Sequence, residues 1–129
     1  MQFFSTNNPD LRVGLEEAVF KGLPDDNGLF MPTHISQVPA NFINDLKSYT
    51  FPELAFVVAK TFLDGAIPDA DLKTIIELAI NFPAPLVQLD AHSYLLELTH
   101  GPSLAFKDFG ARFMAEMMAY LNQDRQREI

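Results

Sequence analysis

The stretch THGPSLAFKDFGARFMAEMMAYL, residues 99–121, decides how this chain is read. Gly101-Pro102 marks a loop, and Ser103 is a residue type that caps helices, so the pattern predicts a helix from about Leu104 to Leu121. On a wheel of about 100° per residue, Asp108, Arg112, Glu116 and Asn122 share one arc. Phe106, Phe109, Phe113, Met117 and Tyr120 fill the opposite side. Lys107 falls between Met114 and Met118 with Ala111 close by, so one cation stands on apolar ground. It also lies near the helix N-terminus, where the dipole disfavours a cation by about 0.3–1 kcal/mol. Desolvation and dipole both favour the neutral amine, the nucleophilic form. The competing reading is that Lys107 snorkels, with its stem on apolar surface and its ammonium in water. On the wheel alone, snorkelling is the stronger reading. Asp108 offers no ion pair, because adjacent helix side chains diverge.

Upstream of this stretch, Leu86 to Leu89 and Tyr94 to Leu98 read as two strands, with Asp90-Ala91-His92-Ser93 as a hairpin connection. Asn81-Phe82-Pro83-Ala84-Pro85 is a stiff seam, and the domain boundary is placed there, giving units 1–83 and 84–129. Before the seam, a helix runs from Pro68 through Ile80, with Asp69 and Asp71 suited to its first turn. Thr50 is positioned to cap another helix over Pro52 to Lys60, with Glu53 completing a capping box. Asn41 to Leu46 reads as a short helix. In the first thirty residues, Gln2–Ser5 is a strand and Leu15, Ala18, Val19 and Gly22 recur at helical spacing. Leu29 to Pro32 is a further short strand. The fold class is α+β.

Across its 129 residues the chain holds 9 Lys and Arg against 17 Asp and Glu, a formal charge of −8. That balance argues against a nucleic-acid partner and against a polybasic membrane-surface module. The absence of cysteine excludes disulfides and thiolate metal sites. His34 and His92 lie in loops without companion ligands, and Asp25-Asp26-Asn27-Gly28 is a turn rather than a calcium loop, so no metal is expected. No run approaches the roughly 20 apolar residues of a membrane span, and the N-terminus lacks a secretory pattern. A cytoplasmic location is therefore expected.

The run from Leu96 to Phe113, with Gly101-Pro102-Ser103-Leu104-Ala105-Phe106-Lys107-Asp108 at its centre, resembles the motif around the cofactor lysine of threonine synthases. Phe4-Ser5-Thr6, Glu17-Ala18-Val19, Lys21-Gly22-Leu23 and Asp26-Asn27-Gly28-Leu29-Phe30-Met31-Pro32 resemble that family's opening. Two departures are visible: Thr99 stands where the family usually has an aromatic residue, and Ser103 replaces a threonine while keeping the hydroxyl. The resemblance spans the whole chain. It implies the tryptophan-synthase-β-like fold family, with a small N-terminal strand and helix domain followed by the first strands and lysine-bearing helix of a pyridoxal-phosphate-dependent α/β domain.

The implied activity is a lyase of amino-acid biosynthesis that converts O-phospho-L-homoserine and water to L-threonine and phosphate. Lys107 would hold pyridoxal 5'-phosphate as a Schiff base and later move protons at the substrate carbons. Of the flanking residues, Ser103 reads first as a helix cap, His100 equally as a loop histidine or a site contact, and Asp108 as a carboxylate that favours the helix N-terminus or orients local backbone. Arg112 reads as a solvated or inter-domain partner. All six glycines are isolated, so no phosphate-cradling glycine loop is present. The expectation is therefore an N-terminal portion of a longer enzyme, inactive alone, with open strand edges that promote self-association or a disordered end. Two alternatives stay open: a threonine-synthase-like phospho-lyase, and a non-catalytic interaction or regulatory module that retains the motif.

Overall fold

The structure, a computed structural model, describes residues 1–123. The expectation for the chain end falls on residues 124–129, outside the described residues. Three short strands form the first sheet: β1 (Gln2–Ser5), β2 (Arg12–Gly14) and β3 (Phe30–Pro32), in the order β2-β1-β3 with antiparallel pairing throughout. β1 and β3 fall where the pattern placed them. β2 is an addition to the sequence reading, because three residues behind a turn leave no alternation to detect. Its pairing with β1 buries Val13.

Helix α1 (Leu15–Lys21) follows directly and stops at Gly22, whose φ of 71° suits a residue without Cβ. The expected helix over Asn41 to Leu46 is not formed. Isolated turns occupy that stretch, through Phe42 N–H to Pro39 O and Asp45 N–H to Asn41 O, followed by a single 3₁₀ turn at Leu46–Ser48. Asn41, Asn44 and Asp45 are poor helix formers whose side chains compete for the backbone, and buried Phe42 anchors the turns edge-on to Tyr49.

Helix α2 (Phe51–Leu63) begins as read: the Glu53 carboxylate accepts the Thr50 N–H at 2.7 Å. That bond is also the main reason the Glu53 carboxyl is held below its ordinary range. Helix α3 (Asp69–Ala79) carries the centre of the core, with Leu72, Ile75, Ile76 and Ala79 all buried. Leu63, Ile67 and Met117 close around them. Removing most of one such side chain, as in Leu72→Ala, costs about 2–5 kcal/mol.

Beyond the seam, β4 (Leu86–Gln88) and β5 (Tyr94–Leu96) form the expected hairpin, with Leu86 opposite Leu96. The Asp90 carboxylate accepts the N–H groups of His92 and Ser93, each at 2.8 Å, which shapes the turn. All six strand residues are exposed.

The last helix, α4 (Lys107–Asn122), lies across α3 and α1 and sends Met117 into the core. It begins three residues later than Ser103 capping predicted. Leu104 has a φ of 58°, a left-handed conformation that an α-helix cannot contain.

Candidate functional site

The loop before α4 is folded back on a residue of the helix itself. The Asp108 carboxylate accepts the Ser103 hydroxyl at 2.6 Å and the Ser103 N–H at 2.8 Å. Leu104 N–H donates to Gly101 O at 3.0 Å, closing the turn. Gly101 is buried against the same carboxylate, and a Cβ there would lie 2.6 Å from Asp108 Cβ. Gly101 is thus required for space, a constraint visible in the sequence only as a glycine before a proline. Asp108 itself is buried, and its carboxyl is held below the ordinary aspartate range, foremost by the Ser103 hydroxyl. Desolvation opposes this, while the backbone around Ser103 and Ala105 and the Arg112 charge reinforce it.

Ser103 therefore does not cap α4. It stands four residues before the first helical residue and gives both of its donors to Asp108. The carboxylate on the helix organises the loop, in keeping with the local-backbone reading of Asp108, while the capping role read for Ser103 is not found.

Lys107 is the first residue of α4 and is exposed. Among the described residues it pairs with no carboxylate. Ala111, Met114 and Ala115 are exposed along the same helix, and Leu104 and Phe106 just before it are also exposed. The apolar setting inferred for Lys107 is thus an open apolar face rather than a buried one.

Two residues of the charged arc turn inward. Asp108 binds the loop, and Arg112 donates from Nε to Ala79 O at 3.0 Å and from Nη2 to Leu78 O at 2.6 Å. Those carbonyls end α3, where the helix dipole favours a cation. The same guanidinium lies 5.9 Å from the Phe82 ring centroid. Arg112 thus ties the end of α3 to the lysine helix. Of the two readings of Arg112, the contact to another element is the one found, made to helix-end carbonyls rather than to a carboxylate, which hydropathy on a wheel does not reveal.

His100 sits apart from this cluster in an exposed pair, its Nε2 at 2.8 Å from Glu97 Oε2. Ser103 and Asp108 are brought together beside Lys107, whereas His100 is engaged elsewhere. His34 and His92 are exposed. Among the described residues no three carboxylates or histidines are grouped to hold a metal ion. None of the described helices is long and apolar enough to cross a membrane.

A second clasp of the same composition lies in the first sheet. The buried Ser5 hydroxyl donates to both oxygens of Asp26, at 2.7 and 2.8 Å, and Gly28 N–H donates to Asp26 at 2.9 Å. A Cβ on Gly28 would lie 2.9 Å from the Asn7 backbone nitrogen.

Residues 2–80 match the family model described as threonine synthase N terminus. The chain is 40% identical over 124 residues to a threonine synthase of Haemophilus influenzae, covering 96% of this chain and 29% of that protein. It superposes with a TM-score of 0.90 on the threonine synthase of Escherichia coli, at 32% identity, covering 96% of this chain and 29% of the other. With the PLP-bound threonine synthase of Brucella melitensis the TM-score is 0.89 at 36% identity, covering 99% and 29% of the two chains. This chain therefore spans about 29% of the length of the relatives it matches. Sequence and fold agree that the chain belongs to the threonine synthase family, with the architecture of that family's N-terminal region.

Proposed function

We propose that this chain is the N-terminal part of a pyridoxal-phosphate-dependent threonine synthase acting in the cytoplasm. The whole protein converts O-phospho-L-homoserine and water to L-threonine and phosphate. The reading divides the chain into an N-terminal domain, residues 1–83, and the start of the cofactor-binding domain, residues 84–129. The observation that supports it is the presentation of Lys107. The Lys107 amine stands exposed on the first turn of α4, pairing with no carboxylate among the described residues, behind a loop fixed by Ser103 and Asp108.

The residues present fit one end of pyridoxal phosphate. The exposed amine of Lys107 suits its aldehyde. Its phosphate needs free N–H and hydroxyl donors, and both donors of Ser103 are engaged by Asp108. In this reading the phosphate is held by residues outside this chain. When bound, the cofactor supplies the electron sink that lets protons leave the substrate carbons. Lys107 contributes the amine that holds the cofactor and then serves as the acid and base at those carbons. Asp108 holds the loop closed beneath it, and Arg112 holds the helix to α3.

The test is Lys107→Ala in the full-length synthase. Loss of borohydride-trapped cofactor is expected, with turnover reduced ~10²–10⁴-fold as for removal of an acid/base group. Retained trapping and turnover overturn the reading. Product analysis separates the phospho-lyase alternative, since a 2-oxo acid in place of threonine identifies that chemistry.

A further inference from the structure

The geometry points to Asp108 as a positioning residue: its carboxylate sets where α4 begins and so fixes the direction in which Lys107 leaves the helix. This inference rests on the reading of Lys107 given above and deepens it. From Leu104 onward the residues Leu-Ala-Phe are compatible with helix, and Ser103 is a residue type that could cap it. A helix starting there would place Lys107 a full turn inside. The chain does otherwise. Asp108 takes both Ser103 donors, Gly101 packs against the carboxylate, and Leu104 is held at a φ of 58°. A leucine in that conformation is strained and persists only where its surroundings hold it. Adjacent side chains on a helix diverge, so the inward anchor at Asp108 requires Lys107 to point away from the loop it secures. Arg112, one turn on, holds the same inner face to α3 and leaves rotation of the first turn as the freedom that Asp108 removes.

The experiment compares wild type, Asp108→Ala, Ser103→Ala and Ser103→Thr in the full-length synthase. Two quantities are read: hydrogen exchange at the Ser103 amide, and the fraction of Lys107 captured by pyridoxal phosphate and borohydride, mapped against Lys21, Lys47, Lys60 and Lys73. In Asp108→Ala, Ser103 exchange is expected to rise at least ten-fold and Lys107 capture to fall at least five-fold, with the other four lysines unchanged. Ser103→Ala should follow in the same direction, and Ser103→Thr, which keeps the hydroxyl, should restore wild-type capture. If Asp108→Ala unfolds, shown by all five lysines changing together, the Ser103 pair decides by the same criterion. Faster Ser103 exchange with Lys107 capture unchanged within two-fold overturns the positioning role. Absence of Lys107 capture in wild type instead overturns the assignment of Lys107, so the two failures are distinguishable.

Discussion

The two clasps are built from the same three residue types and do different work. In the sheet, Ser5, Asp26 and Gly28 join chain segments more than twenty residues apart, and Ser5 is fully buried. Before α4, Gly101, Ser103 and Asp108 close a loop spanning only five residues between serine and aspartate. The first links β1 to the turn that leads into β3, so opening it disrupts the pairing of the sheet. The second lies outside the buried cluster in which Met117 of the same helix sits, so we expect it to open without disturbing that cluster. The difference teaches that one arrangement can serve global stability or local placement, according to the contact distance it closes.

Gly28→Ala should give the largest effect, because the added methyl meets the Asn7 backbone and the Ser5 side chain. We expect a loss of about 1–3 kcal/mol by chemical denaturation, the usual range for overpacking. A loss below half a kcal/mol would remove the sheet clasp from the stability argument. Gly101→Ala creates a comparable collision with Asp108 and should behave differently. Its global cost should stay below about 1 kcal/mol if opening is local, while hydrogen exchange at the Ser103 amide rises at least ten-fold. Equal global losses for the two variants would erase the contrast.

Acid should act on the second clasp. The Asp108 carboxyl is depressed in the folded chain, chiefly by the Ser103 hydroxyl, so its contribution is present above the unfolded aspartate value of 3.8. It is lost as pH falls through the lower folded value. Ser103→Ala should therefore shrink the stability difference between pH 7 and pH 3, and an unchanged difference would contradict the coupling. The smallest effect is expected in the hairpin, where Leu95 is 48% exposed. Leu95→Lys should change stability by no more than about 0.5 kcal/mol. By sedimentation it should reduce self-association, which we propose for the isolated chain because the β4–β5 faces are apolar and open.

What the sequence made legible follows physical range. Strand β1, helix α1, the Thr50 start of α2, the core face of α3 and the hairpin all rest on local periodicity or capping, and each is found close to its expected place. Strand β2 is too short to show a period and exists through its pairing with β1. The start of α4 was misread because Ser103 matches the capping rule, while the actual partner, Asp108, lies five residues downstream in no standard capping pattern. For Asp108 and Arg112 the kind of contact was legible, local backbone for one and another element for the other, but not the particular partners. Their partners are a loop and the end of another helix, and neither is a property of the wheel.

The tie between α3 and α4 has a mechanical consequence. Tyr120 donates to Asp71 at 3.0 Å, and Arg112 donates to Ala79, so the antiparallel pair is pinned at two points eight residues apart on each helix. At about 1.5 Å rise per residue the pins stand about 12 Å apart, and Lys107 overhangs the nearer one by about 7.5 Å. With Arg112 as pivot, a 1 Å slip at the Tyr120 pin moves the Lys107 backbone by about 0.6 Å through this lever. Misplacement of that order is already costly at a reacting centre. In the reading proposed for Lys107, a hydroxyl roughly 20 Å along the helix from the amine thus contributes to how closely that amine is held in place.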